Sequence, residues 1–238
     1  MTDRDIATRR ALVTGGGSGI GLAVVELLLD AGLEVCALDR RPAPVEHERL
    51  HFIEADVTRA DQVDMSYVEV DRRLGGLDVL VSNAGVGIHE RLDQGDPAKW
   101  QALIETNLIG AMRVVRAFAP MLEQAEEVGD LVVVSSVADR NAYAFGGPYA
   151  ASKAGLSMMA ETLRLELQPG VRVTLVRPGM VASSFYEHSI DQSNLTPEEV
   201  GWTPLPPEQV AQAVLFALTR PPQVAINELT IRPTEQSF

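Results

Sequence analysis

Short apolar runs of strand length alternate with helical periodicity along the whole chain, and this alternation limits the possible folds more than any single residue does. The runs at residues 11–13, 34–38, 50–54, 77–81, 131–134, 171–176 and 228–231 are predicted as strands. Helices are predicted over 20–31, from a cap at Thr58 or Asp61 to about 74, over 97–123, from the Tyr149 region to about 168, and over 208–219. Gly32 fits the stop of the first helix, and Pro97 the first turn of the third. Strand followed by helix, repeated, gives βαβ units and a parallel sheet. Residues 40–49 hold two prolines and are expected to be a short irregular connection. Residues 180–207 are long, polar and proline-bearing, and are expected to form a lid-like connection. At 238 residues, with no internal repeat, one α/β domain is expected.

Thr14 to Gly21 leaves the first strand and opens the first helix, which is the context a phosphate-binding glycine turn requires. Its spacing, Gly15-xxx-Gly19-x-Gly21, lets the backbone approach a pyrophosphate at a helix N-terminus. Asp39 ends the second strand 18 residues after Gly21, where a carboxylate accepts from ribose hydroxyls and repels a 2′-phosphate. It therefore favours NAD over NADP. Arg40 and Arg41 pull the other way, since guanidinium groups suit phosphate; their alternative is a solvated surface pair.

Ser136 closes the apolar run 131–134, and Tyr149 and Lys153 lie four apart on one helix face. A free phenol titrates near 10, and a cation within about 4–6 Å favours its phenolate. Bringing it to about 7 takes roughly 4 kcal/mol, within reach of one lysine and a cationic nicotinamide ring. Hydroxyl, phenol and ammonium together suit hydride transfer between a carbonyl and an alcohol.

Thr14-Gly15-Gly16-Gly17-Ser18-Gly19-Ile20-Gly21, Asn83-Ala84-Gly85, Asn107, Ser136, Tyr149-xxx-Lys153 and Pro178-Gly179 together resemble the short-chain dehydrogenase/reductase family, from about residue 8 to 233. The resemblance implies an α/β fold with a doubly wound Rossmann-type parallel sheet, about seven strands in the order 3-2-1-4-5-6-7, and helices on both faces. It implies a single dinucleotide-binding domain over 1–238, with 180–207 as the substrate loop. It makes Tyr149 the acid/base, Lys153 the group that lowers its pKa and holds the nicotinamide ribose, and Ser136 the donor to the substrate oxygen. Asn107 would bend its helix and hold a water linking Lys153 to solvent. Ser135 is then structural. Gly15, Ser18, Gly19, Ile20 and Gly21 would hold the pyrophosphate, and Asp39 and Arg40 would flank the adenosine ribose. Asp56 and Val57 would contact adenine, although Asp56 reads equally as a residue leading into a helix. Asn83, Ala84 and Gly85 would lie beside the cofactor, Asn83 with an equally strong structural reading. Pro178, Gly179, Val181 and Ser183 would clasp the carboxamide, with serine where the family usually has threonine. Ser82 departs from the usual asparagine.

The substrate is expected against Val86-Gly87-Ile88, residues 139–147 and the 180–207 segment. Asp139 and Arg140 are open to two readings, a pair that recognises a polar substrate or a surface ion pair. Phe185, Tyr186, His188 and Trp202 would line an apolar pocket or pack the lid. The C-terminal run 227–234 resembles members acting on small hydroxy acids with NADP, which is the alternative to an NAD-dependent enzyme of secondary alcohols and ketones. A third reading, a non-catalytic NAD(H) sensor, fits poorly with retention of both Tyr149 and Lys153. Broad apolar faces on the Asn107 and Tyr149 helices imply a homodimer or homotetramer.

Composition excludes several classes. A net charge of −13 argues against nucleic acid and anionic membranes as partners. Lysine occurs only at 99 and 153, which reads as genomic composition. Cys36 lies in an apolar run with no second cysteine to pair with, and histidines 47, 51, 89 and 188 lack metal-site spacing, so no metal is expected. The polar start and the absence of a 20-residue apolar run point to a cytoplasmic protein.

Overall fold

In a computed structural model, residues 4–183, 185, 189–190 and 201–237 are described. The strands are β1 (Arg10–Thr14), β2 (Glu34–Asp39), β3 (Leu50–Glu54), β4 (Val79–Ser82), β5 (Gly129–Val134), β6 (Val171–Pro178) and β7 (Glu228–Ile231). All pair in parallel in the order β3-β2-β1-β4-β5-β6-β7, as expected. The helices are α1 (Gly19–Asp30), α2 (Ala60–Leu74), α3 (Pro97–Ile104), α4 (Ala111–Leu122), α5 (Gly147–Leu167) and α6 (Pro207–Leu218).

The central strands read as unbroken apolar runs because both of their faces are covered. Side chains still alternate along them. Ala11, Val13, Val79, Val81, Val132 and Val134 pack with Val24 and Leu28 of α1 and Val214 and Leu218 of α6. Leu12, Leu80, Leu131 and Val133 pack on the opposite face with Val70 of α2, Phe118 of α4 and Leu156 of α5.

Two local expectations need correction. Neither Thr58 nor Asp61 caps α2; its N-cap is Arg59, which makes no side-chain cap bond. Instead Asp56 Oδ1 accepts from Thr58 N at 2.9 Å and Oγ1 at 2.8 Å, while Asp56 N donates to Gln62 Oε1 at 2.7 Å. The helix expected over 97–123 is interrupted between α3 and α4, where Glu105–Gly110 adopts a π turn. One extra residue per turn re-aims the side chains that follow.

At the N-terminal ends of the strands, Asp130 accepts from Arg9 Nη1 at 2.7 Å, Arg172 Nε at 2.8 Å and Arg4 Nη1 at 3.3 Å. Several of the other guanidinium donors bond carbonyls, including those of Asp78, Val128 and Leu218, and Arg4 Nη2 also pairs with Glu127. Removing one partner of a buried ion assembly leaves its counter-ions uncompensated. Asp130→Ala is therefore expected to lower unfolding stability by about 3–5 kcal/mol in urea titration. Nucleotide affinity of the folded fraction should not change, because the opposite ends of the strands carry the cleft.

Candidate active site

The strand order sends the chain outward from β1 through β2 and β3, then back to β4 on the other side. The connections leaving β1 and β4 diverge and open a crevice at the strands' C-terminal ends. A cavity of about 330 Å³ occupies it, running from Gly15 and Asp39 at one end to Ser136, Tyr149 and Lys153 at the other. Gly15 and Gly19 have φ of +68° and +54°, which side chains resist. A Cβ on Gly21 would stand 2.0 Å from Gly15 O and 2.6 Å from Asn83 Nδ2. The turn therefore lies directly on β4, and Ser18 leads into α1 without a side-chain cap bond, leaving the first-turn N–H groups to an anion.

Asp39 lines the cavity, with Oδ2 accepting from Gly17 N at 3.0 Å and Oδ1 from Arg41 N at 3.2 Å. Arg40 and Arg41 line the same end and are exposed. Asp56 and Val57 reach the cavity while Asp56 also makes the turn before α2, so its two readings coexist. Asn83 Nδ2 donates to Thr14 O at 3.1 Å and Gly15 O at 3.3 Å, tying β4 to the glycine turn. Ala84, Gly85 and Ile20 also line the cavity.

At the other end, Ser135 is buried and donates to Lys153 O at 3.0 Å, as its structural reading requires. Ser136 caps a 3-10 turn, Val137–Asp139, its Oγ accepting from Ala138 N at 3.2 Å. That bond uses a lone pair and leaves the hydroxyl proton to donate. Lys153 is only 4% exposed, donates to Val134 O at 3.2 Å and lies 5.7 Å from the Tyr149 ring centroid. A Cβ on Gly85 would stand 3.6 Å from its Nζ, so the Asn83-Ala84-Gly85 turn borders the ammonium. Burial pushes the Lys153 amine down from 10.5 to about 8, with the Asp139 carboxylate pulling the other way. Asn107, in the π turn, is wholly buried. Its Oδ1 accepts from Val86 N at 2.8 Å, and Nδ2 donates to Val86 O at 2.9 Å and Ser152 Oγ at 3.1 Å. Ser152 in turn donates to Tyr149 O at 2.7 Å.

Pro178 ends β6, and Gly179 N donates to Ile231 O at 2.7 Å. Val181 bridges to Leu205, and Ser183 Cβ lies 3.1 Å from where a Cβ on Gly19 would be, so the two loops meet across the cavity. Gln236, absent from the sequence expectations, accepts from Met180 N at 3.0 Å and lines the cavity. Only its position beyond β7 marks it, which no motif reports.

The substrate wall differs from expectation. Val86 reaches the cavity, whereas Gly87 and Ile88 do not line it, and Ile88 is fully buried. Tyr143, within the expected 139–147 stretch, lines the cavity, and His89, which the sequence reading did not include, stacks on it at 6.3 Å between ring centroids. Phe185 lies 5.8 Å from Tyr149, and Trp202 lines the cavity; Tyr186 and His188 lie outside the described residues. Asp139 and Arg140 follow neither reading as a pair. The side chain of Asp139 is fully buried against Arg177, and Arg140 bonds Glu228 outside.

Holding Lys153 in this site disfavours its charge, and the fall from 10.5 to about 8 corresponds to about 3 kcal/mol at neutral pH. The unfolded amine binds its proton up to 10.5 and the folded one only to about 8, so this cost fades as pH rises between the two. Lys153→Met is expected to unfold at a higher temperature than the parent at pH 7, with the gap closing by about pH 10.5, read by scanning calorimetry.

Comparison with known proteins agrees with this geometry. The family model for short chain dehydrogenase matches residues 9–194. Farnesol dehydrogenase of Aedes aegypti is 31% identical over 248 residues, covering 98% of each chain. The alcohol dehydrogenase of the archaeon Thermococcus sibiricus, solved with 5-hydroxy-NADP, superposes with a TM-score of 0.84 at 28% identity, covering 96% of this chain and 98% of that one. A serine dehydrogenase in its closed form with NADP+ gives 0.88 at 28% identity, covering 96% of both. With sequence, fold and cleft in agreement over nearly its whole length, this chain is an oxidoreductase that belongs to the short chain dehydrogenase family.

Proposed function

We propose that the protein is an NAD(H)-dependent oxidoreductase that interconverts a secondary alcohol and a ketone. The observation that carries this reading is the buried Lys153 ammonium beside the Tyr149 ring, at the end of a cleft whose other end is a glycine turn closed to any side chain. The Gly15–Gly21 backbone and the α1 N-terminus hold the pyrophosphate. Asp39 accepts from the ribose, Asp56 and Val57 border the adenine, and Pro178, Gly179, Val181 and Ser183 hold the carboxamide. Nicotinamide supplies or accepts the hydride when bound.

For reduction, Tyr149 gives its hydroxyl proton to the carbonyl oxygen, and for oxidation it takes the proton of the alcohol. Ser136 donates to the same oxygen, where negative charge develops. The Lys153 ammonium stabilises the phenolate and reaches the ribose. Asn107 works by alignment, because its amide donors are spent on Val86 and Ser152.

Among the described residues, the basic side chains lining the cleft are Lys153 at the chemical end and Arg40 and Arg41 beside Asp39, with His89 in the substrate wall. Residues 184–200 contain no lysine or arginine and four carboxylates. A hydroxy acid needs a cation for its carboxylate, so the wall with Val86, His89, Tyr143 and Phe185 favours an uncharged substrate. The farnesol activity named for one relative points the same way. A second reading, NADP(H), draws on Arg40, Arg41 and the NADP forms bound by the two solved relatives. Asp39 weighs against it.

On this reading the 180–207 segment covers the substrate of one dinucleotide-binding domain, in a cytoplasmic homodimer or homotetramer. Exposed Met112 on α4 and Met158 and Leu165 on α5 offer the apolar contact between copies.

Titration followed by nicotinamide fluorescence is expected to show tighter binding of NADH than NADPH; the reverse order would remove Asp39 from its role. Tyr149→Phe should lower turnover of ketones by about 100-fold or more, with NADH affinity retained. Undiminished turnover would end the acid/base assignment.

A further inference from the structure

We propose that Asp139 is a positioning residue for Lys153: its buried carboxylate, held by Arg177 and Ser157, keeps the neighbouring ammonium protonated and ties the Ser136 turn to the strand that ends in Pro178. Its consequence for turnover rests on the oxidoreductase reading above; the electrostatic link itself does not.

Asp139 is the last residue of the 3-10 turn that Ser136 caps, and its side chain is wholly inaccessible. Ser157, one helical turn beyond Lys153 on α5, donates to Asp139 Oδ2, and its Oγ lies 3.1 Å from Lys153 O. Arg177 Nε donates to the same Oδ2 at 2.5 Å. Arg177 precedes Pro178, so one carboxylate joins the turn carrying Ser136, the helix carrying Tyr149 and Lys153, and the strand leading to the Gly179 loop. Arg177 Nη1 also lies 3.0 Å from Glu228 Oε2, and Glu228 accepts from Arg140 at 2.9 Å. The row Asp139, Arg177, Glu228, Arg140 alternates in sign and is neutral as a whole. Its fully buried acid stands at the Lys153 end, while Glu228 and Arg140 are about half exposed.

A pair serving stability alone would satisfy both carboxylate oxygens. Here Oδ1 of Asp139 is buried with no hydrogen-bond partner among the described residues, so beyond its bonds to Arg177 and Ser157 this buried acid gains from further positive charge nearby. The other groups around Lys153 are neutral: the Val134 carbonyl from β5, Asn107 from the π turn, and Ser152 and Tyr149 from its own helix. Burial alone drives the amine down, and of the four charges in the row Asp139 is the one that bears on it.

The chain has only two lysines, which makes the test direct. Lysine labelled at Cε and Nζ gives two resonances in the whole protein, and Lys99, paired with Glu90 at 3.0 Å, serves as internal control. In Asp139→Asn, Lys153 is expected to lose its proton about one pH unit or more below the parent, with Lys99 unmoved. The double variant Asp139→Asn/Arg177→Gln leaves no unpaired buried ion, and should move Lys153 the same way should the single variant fail to fold. A folded variant whose Lys153 titrates as in the parent overturns the proposal, whatever its melting temperature. The titration needs neither substrate nor cofactor, so an inactive parent protein would count against the oxidoreductase reading and not against this one. In an active parent, the high-pH limit of kcat/KM should fall together with the Lys153 midpoint.

Discussion

Where β1 and β4 part, one hydroxyl and one amide replace the ladder that ends there, and the cleft exists because of them. Thr14 Oγ1 accepts from Asn83 N at 3.0 Å and Ala84 N at 3.2 Å, while Asn83 Nδ2 reaches back to the carbonyls of Thr14 and Gly15. The glycine turn is thereby pressed onto β4 so closely that Gly21 has no room for a methyl group. Everything further along depends on this junction. It fixes the start of α1, sets Gly85 against Lys153, and leaves the crevice where the chain reverses its direction of winding.

Much of this was legible in the sequence because it rests on periodicity and on residues with one physical use. Strands β3 and β7 begin and end where the apolar runs do. Gly32 and Gly75 stand just past α1 and α2 with positive φ, the conformation glycine supplies cheaply. The α2 cap was misjudged because Thr58 and Asp61 are both good caps, and the choice among Asp56, Thr58 and Gln62 is made by a turn with no periodic signature. The π turn was invisible for a different reason. Residues 97–122 keep a continuous helical pattern, and the extra residue is inserted to bring Asn107 onto Val86, a contact 21 residues away. Gln236 and the Asp139–Arg177 pair were likewise out of reach, since their meaning lies in partners 56 and 38 residues distant.

Two buried carboxylates show how the same residue type serves opposite ends of one sheet. Asp130 sits among three guanidinium groups, several of whose other donors find carbonyls, and both of its oxygens are bonded. Such an assembly locks the N-terminal ends of β1, β5 and β6 together. Asp139 sits at the C-terminal ends, with Ser157 and Arg177 both donating to one of its oxygens. The difference lies in the surroundings: Asp130 is shared among three guanidinium groups, whereas Asp139 meets one guanidinium and one hydroxyl at the end of the sheet that carries Lys153.

That contrast explains why the site tolerates a buried lysine at all. An ammonium removed from water drifts toward its neutral form, and a neutral amine can neither steady a phenolate nor donate all three protons. The fold answers with partial compensation. Val134 O takes one proton, the Tyr149 ring offers its face at 5.7 Å, and the Asp139 carboxylate favours the charged form without a direct bond that would pin the amine in place. A direct carboxylate partner would hold the charge more firmly but would occupy the donors that a ribose hydroxyl and a phenolate need. A charge kept poised near 8 is thus the outcome of two requirements, retention of the proton and freedom of the donors, that no single strong ion pair satisfies.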